Sequence, residues 1–160
     1  MILISPYAAA LQNGNLNPKN YPFWNELLTK IGGTKHIVQV GVDGEEKLVP
    51  DFRKNLSVAE LRQLLKQCET VISCDSFMQH LAWDEGVKAI VLWSVSDPLI
   101  YGHPEHINLL KSREYLVENQ FLWWNNVQHN SDSFVKPDIV MEHLHQIIPG
   151  LNTYGEHFRN

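Results

Sequence analysis

Apolar and polar positions come in alternating blocks along the chain. Ile2 to Ser5, His36 to Gly41, Thr70 to Cys74 and Ala89 to Trp93 are short apolar runs that stop at polar turns. This is the pattern of strands buried on both faces. Between them lie segments with apolar residues at helical spacing. Phe23, Trp24, Leu27, Leu28 and Ile31 form the first, with Pro22 at its first helical position and Gly32-Gly33 as its stop. Leu61, Leu64 and Leu65 form the second, opened by Ser57-Val58-Ala59-Glu60, a box in which the serine oxygen accepts from the third helical amide while the glutamate reaches back. Met78, Leu81, Ala82 and Trp83 form the third, running from Asp75 to Gly86. Ile107 to Leu110 reads as a short further strand and Pro137 to Ile148 as a closing helix. The alternation predicts an α/β, Rossmann-like, doubly wound parallel sheet with right-handed crossovers and helices on both faces. Residues 1–150 make one predicted nucleotide-binding domain, and residues 151–160 a C-terminal tail that frays or docks loosely.

Open α/β sheets bind ligands at the carboxyl ends of their strands, so the polar turns there are the candidate site. Asp75 follows the third of the four runs, and Ser76 and His80 lie four apart on the helix after it. The free amides at a helix start favour an anion, and a hydroxyl and an imidazole beside them would add donors to a phosphate; Asp75 equally suits a helix cap. Lys19, at the end of the long loop Pro6 to Asn20, reaches the same crevice or is a solvated surface lysine. Gly41 to Glu45 is a tight turn whose carboxylate suits ribose hydroxyls or a helix start. Ser5 and Tyr7 near the first strand end, and Ser94, Ser96 and Asp97 after the Ala89 to Trp93 run, line the same edge. His103 and His106 have no cysteine or carboxylate to complete a metal set, so no metal is expected. Trp123-Trp124 reads as core or dimer contact more readily than as a stacking platform. No Walker, G-x-S-x-G or HExxH motif occurs.

With 160 residues, 44% hydrophobic and 19% charged, the chain is sized for one domain with a real core. A net charge of -5 argues against a sequence-independent nucleic-acid binder. No apolar segment approaches the ~20 residues that span a bilayer, and the N-terminus lacks the basic start of a signal peptide. Cys68 and Cys74, six apart, read as two buried thiols in a reducing, cytoplasmic setting.

Asp75-Ser76-Phe77-Met78-Gln79-His80-Leu81-Ala82, followed by Val91-Leu92-Trp93-Ser94-Val95-Ser96-Asp97-Pro98, resembles a known family. The chain is similar to the C-terminal, nucleotide-binding half of GT-B glycosyltransferases of the ADP-heptose lipopolysaccharide heptosyltransferase type (glycosyltransferase family nine). That family's strand is followed by Asp-Ser/Thr-Gly-x-x-His-Leu-Ala, a helix, a strand and a Gly-x-Thr/Ser-Asp-Pro loop. Its Lys-x-Trp-Pro element resembles Lys19-Asn20-Tyr21-Pro22, and its Gly-x-x-x-Glu turn resembles Gly41 to Glu45. Matching elements run in order over about residues 2 to 110. The resemblance implies a single domain equivalent to one half of a GT-B fold. It implies that Lys19, Asp75, Ser76 and His80 lie near the phosphates of the ligand and Gly41 and Glu45 near its nucleoside, the ligand being an adenine nucleotide diphosphate derivative, with no separate cofactor. Phe77 departs from the family's glycine. The sequence also holds no counterpart of the acceptor-binding half. Three readings follow: a stand-alone nucleotide-binding module, acting as a subunit or as a sequestering decoy for a nucleotide signal; a metal-independent glycosyltransferase completed by a partner or a second copy; and an assembly protein that kept the fold without the ligand. A homodimer or partner subunit is expected, through a surface drawn from Tyr7, Phe77, Trp83 and Trp123.

Overall fold

The computed structural model describes residues 1–151. The expected tail therefore lies outside the described residues, apart from the buried Leu151. Strands β1 (Ile2–Ser5), β2 (Ile37–Gly41), β3 (Asp51–Lys54), β4 (Thr70–Cys74), β5 (Ala89–Leu92) and β6 (Ile107–Leu109) form one sheet in the order β3-β2-β1-β4-β5-β6. Every pairing is parallel, and Ser5 stands opposite Ser73 at the carboxyl end of the central pair. The order reverses between β1 and β4, which makes their carboxyl ends the topological switch point of a doubly wound sheet.

Successive strand residues face opposite sides, and the two sides bury different cores. Ile2, Ile4, Ile72, Ile90 and Leu92 pack on the side of α1 (Trp24–Ile31) and α5 (Pro137–Ile147), which also pack on each other. Leu3, Val38, Val40, Val71 and Val91 pack on the side of α2 (Val58–Leu65) and α3 (Phe77–Asp84). Each aliphatic side chain removed from water in this way contributes about 1.5–3 kcal/mol before conformational entropy is charged against it.

Several local signals act as their chemistry demands. Ser57 accepts from the Glu60 amide at 3.2 Å while Glu60 Oε2 accepts from the Ser57 amide at 2.7 Å, so the capping box opens α2. Gly32 and Gly86 close α1 and α3 with φ of 68° and 71°, angles that a side chain would strain. Pro137 occupies the first turn of α5.

Other expectations are corrected. α1 starts at Trp24 with Phe23 as its cap residue, so Pro22 lies outside the helix. Tyr21 sets this entry: it is buried edge-on against Phe23, Trp24 and Phe134, and its hydroxyl donates to the Val135 carbonyl. Asp75 does not cap α3; the cap residue is Ser76, and no side-chain oxygen is bonded to the helix amides. Of the two places the sequence leaves open for Trp83, the helix's apolar face and an exposed surface, it takes the outer face, 46% exposed and stacked on His103 at 4.5 Å. Strand β3 lies in a stretch where the sequence pattern signals no element, and the four-residue helix α4 (Pro98–Tyr101) interrupts the polar segment after β5. Residues 113–126 contribute two short 3-10 turns, Arg113–Tyr115 and Trp124–Asn126.

His106 fastens α3 to the sheet. It is buried, its Nδ1 accepts from the Ala89 amide at 3.2 Å, and its Nε2 lies 2.7 Å from the Gln79 carbonyl. Both contacts are satisfied together by the neutral ring protonated on Nε2. Burial holds the His106 pKa below the ordinary 6.5 despite the hydrogen bond to the Gln79 carbonyl, with a further push from the neighbouring His103, and burial and His103 do the same to His80. The unfolded chain therefore takes up these protons first. Their contribution is complete above about pH 6.5 and is lost as pH falls from there through the lower folded values. Urea unfolding at pH 7.5 and 5.5 is expected to show reduced stability at the lower pH, with a smaller difference in His106→Asn. Asp51 and Asp97, held low by Arg53 and Arg113, titrate in a separate window below pH 4.

Candidate functional site

The switch point opens into a cleft of about 690 Å³, within the usual range for small-molecule sites. It has three stations across the strand ends. On the β2–β3 side, Val40, Val42, Leu56, Leu61 and Met78 form an apolar recess rimmed by Glu45, Arg53 and Asn55. In the middle lie Ser5, Lys19, Asp75, Ser76 and Phe77. On the far side stand Trp123, Trp124 and Asn125.

The middle station is built around Asp75. Its carboxylate accepts from Lys19 Nζ at 2.8 Å, Ser96 Oγ at 2.7 Å and Gln79 Nε2 at 2.7 Å. Both partners of the Lys19–Asp75 ion pair are largely shielded, at 14% and 7% exposure. Lys19 also lies 4.5 Å from the centre of the Trp124 ring, a cation–π contact. The adjacent Ser76 hydroxyl is buried without a hydrogen-bond partner, as are the Ser73 hydroxyl and Gln79 Oε1. The Cys74 thiol lies beside the Ser76 hydroxyl, a weak partner at most. Burial pushes the Cys74 thiol up to about 12 and the Cys68 thiol up to about 11, so both stay protonated at neutral pH. Phe77, the first residue of α3, stands 54% exposed on the cleft wall.

At the β2 end, Glu45 folds back so that its Oε2 accepts from the Val42 amide at 3.2 Å. Burial raises its pKa despite that bond. A Cβ on Gly41 would sit 1.9 Å from this oxygen, so the close approach needs glycine at 41. Gly41→Ala is expected to displace the Glu45 carboxylate from the Val42 amide at a modest loss of stability, since the Glu45 tip must swing away and the edge of the Phe52 ring, 3.2 Å from the new Cβ, must shift slightly; a crystal structure with a denaturation curve checks both. Tyr7 hydrogen-bonds Glu46 at 3.4 Å, and its pKa is pushed up to about 12 by burial and the two nearby glutamates. Asn55 takes the left-handed conformation at φ 56°, and its side chain bonds Asp43.

Seven of the sequence candidates converge on the cleft: Ser5, Tyr7, Lys19, Gly41, Glu45, Asp75 and Ser76. Four do not line it. His80 turns outward, with Nδ1 2.8 Å from His103 Nε2. Ser94 donates to the Pro18 carbonyl, and Ser96 supports Asp75 from behind. Asp97 caps α4 through the Leu99 amide and pairs with Arg113. Arg53, Asn55 and the tryptophans were not singled out by sequence as ligand residues. Trp123 is 81% exposed, so it is not core. No group of three His, Cys, Asp or Glu side chains among the described residues is placed to hold a metal ion, and no described helix is long and apolar enough to cross a membrane.

No family model matches the chain, and no curated protein matches its sequence. Among solved structures, a glycosyl transferase family 9 protein from Veillonella parvula DSM 2008 superposes with a TM-score of 0.62 at 13% identity, over 93% of this chain and 46% of that one. The dodecameric iron-containing heptosyltransferase TibC, solved with ADP-D-β-D-heptose, matches at 13% identity over 85% of this chain and 35% of its own, with a TM-score of 0.49. The chain thus shares the parallel α/β, Rossmann-like fold of part of the Veillonella protein, and it spans less than half the length of either protein.

Proposed function

We propose that the chain binds a nucleoside diphosphate or a nucleotide sugar in the cleft at the β1–β4 switch point, with an adenine nucleotide as the first candidate. One observation carries this reading: an uncapped helix start, a lysine and an unpartnered serine hydroxyl meet in the middle of a ligand-sized cleft. Helix-start amides and a cation together favour a phosphate. The apolar recess beside them suits a base, and Glu45 at its rim suits ribose hydroxyls. The role is binding rather than unaided transfer, because a transferase must orient two substrates and this cleft has one wall of strand ends. Such a module serves as a subunit or sequesters its ligand.

Calorimetry and thermal unfolding with ADP, UDP, GDP and an ADP-sugar test the reading. At a ligand concentration 100 times its Kd, binding adds about 2.7 kcal/mol to the folded state. Absence of any shift or heat with all four ligands would falsify it. Recovery of intact ligand after incubation separates binding from turnover.

A second reading, a transferase completed by a partner or a second copy, is favoured by the fold match over less than half of a family 9 protein and by exposed Leu99, Phe121 and Leu122. It requires sugar release only when the completing partner and an acceptor are present.

A further inference from the structure

The segment from Gln120 to Asn125 is a bridge fixed at both ends. At one end Gln120 is buried: its Oε1 accepts from the Asp97 amide at 2.9 Å, and its Nε2 donates to the Val95 and Val117 carbonyls at 3.0 and 2.8 Å. At the other, the Asn125 carbonyl accepts from Asn13 Nδ2 at 2.7 Å, tying the bridge to the loop after β1. Anchors this specific hold in place a stretch that is otherwise costly to expose, Phe121-Leu122-Trp123. Trp124 points inward over Lys19 and sits edge-on to Tyr101 of α4, with ring centres 6.5 Å apart. The bridge therefore lies on the β5 side of Lys19, whereas Gly41 and Glu45 lie on the β2 side. Trp123 faces the same cleft from that far side with most of its ring free.

We infer that Trp123 is a stacking platform for the group carried beyond the diphosphate, a sugar ring that lays its apolar C–H face on the indole. The inference rests on the nucleotide reading above and gives the ligand a direction: base in the recess of Val40, Leu56 and Leu61, diphosphate at Ser76 and Lys19, glycosyl group against Trp123. The order of stations follows from the strand order, and the ring chemistry follows from their lining. A carboxylate and an apolar pocket lie on one side of the phosphate station, and a bare aromatic face lies on the other. An indole face offers a pyranose ring dispersion contact and weak C–H donation to the π cloud. Trp124, already engaged by Lys19, keeps the lysine aimed at the phosphate.

Calorimetry with a nucleoside diphosphate, the matching nucleotide sugar and pyrophosphate, on the wild type, Trp123→Ala and Trp123→Phe, tests the assignment. The wild type is expected to bind the nucleotide sugar about three- to tenfold more tightly than the diphosphate. Trp123→Ala abolishes that difference while leaving diphosphate affinity unchanged, and Trp123→Phe retains part of it. The nucleotide sugar changes wild-type tryptophan fluorescence beyond the change that the diphosphate alone produces through Lys19 and Trp124, and Trp123→Phe removes that additional change. Equal loss of diphosphate and nucleotide-sugar affinity in Trp123→Ala puts the base on the indole and overturns the direction. Concentration-dependent self-association that Trp123→Ala removes, with ligand preference intact, overturns it in favour of a contact between copies. No binding of any nucleotide by the wild type sinks the underlying reading, whereas binding without a Trp123 effect sinks this inference alone.

Discussion

Asp75→Ala is expected to cost about 3–5 kcal/mol of stability, lowering the unfolding midpoint by roughly 10 °C. The magnitude follows from what the truncation leaves behind, more than from what it removes. Lys19, 14% exposed and lodged against Trp124, would keep its charge without its carboxylate. The Ser96 hydroxyl, on a fully buried residue, would lose its acceptor, as would one Gln79 amide hydrogen. An uncompensated buried cation is the larger loss, and each orphaned neutral donor adds about 1–3 kcal/mol where it cannot rearrange or find water. Asp75→Asn separates these contributions: an amide oxygen still accepts from Ser96 or Gln79, so it is expected to fall between wild type and alanine. Equilibrium urea unfolding of the three proteins at pH 7.5 measures the order. Alanine and asparagine equal to wild type would mean that the pair is solvated and contributes nothing net.

The elements visible in sequence are those whose signals are local. The Ser57–Glu60 box announces α2 because both of its bonds span three residues, and Thr70–Cys74 announces β4 because a central strand is apolar on both faces. β3 stayed hidden for the opposite reason. As an edge strand it pairs only with β2, so it buries little, and Asp-Phe-Arg-Lys carries no apolar alternation. The same division runs through the site. Lys19, Asp75 and Ser76 are legible at strand ends, but sequence leaves Asp75 open between a phosphate site and a helix cap because its real partners, Lys19 and Ser96, are 56 and 21 residues away. The four-residue spacing of Ser76 and His80 points His80 at the cleft, but such a spacing fixes a face without saying what stands opposite it. His103 stands opposite, brought there by the loop between β5 and β6. The tryptophan bridge had no periodic signal, since its geometry comes from Gln120 and Asn125 reaching unrelated loops.

Those partners give the middle of the cleft an electrostatic character that neither residue alone would show. Lys19 without Asp75 would make a strongly attractive phosphate site, and Asp75 without Lys19 a repulsive one. Together they leave the station near neutrality, with the α3 amides and the Ser76 hydroxyl as the remaining donors. On the proposed reading, a diphosphate entering the cleft would have to draw Lys19 partly away from its carboxylate. Stability and affinity are therefore set against each other at one residue pair.

The two partners are accordingly expected to shift ligand affinity in opposite directions. Lys19→Ala removes a charged donor and leaves Asp75 facing the phosphate, which is expected to weaken nucleoside diphosphate binding about 10- to 100-fold. Asp75→Asn removes a repulsive charge and frees Lys19. Two unit charges about 4 Å apart at a partly solvated site interact by about 4 kcal/mol before salt screening, and the part that survives screening and Lys19 reorganisation is expected to tighten binding about tenfold. A less stable protein would then be the stronger binder, an outcome that general damage to the fold does not produce. Calorimetry at 10 °C, below the unfolding transition of each variant, with circular dichroism as the check on folding, measures the two effects. Raising the salt concentration should shrink the Asp75→Asn gain more than the wild-type affinity, because the gain is Coulombic and the site opens to water. Weakening by both substitutions would show that the carboxylate serves the ligand by positioning Lys19, and unchanged affinity in both would place the phosphates elsewhere in the cleft.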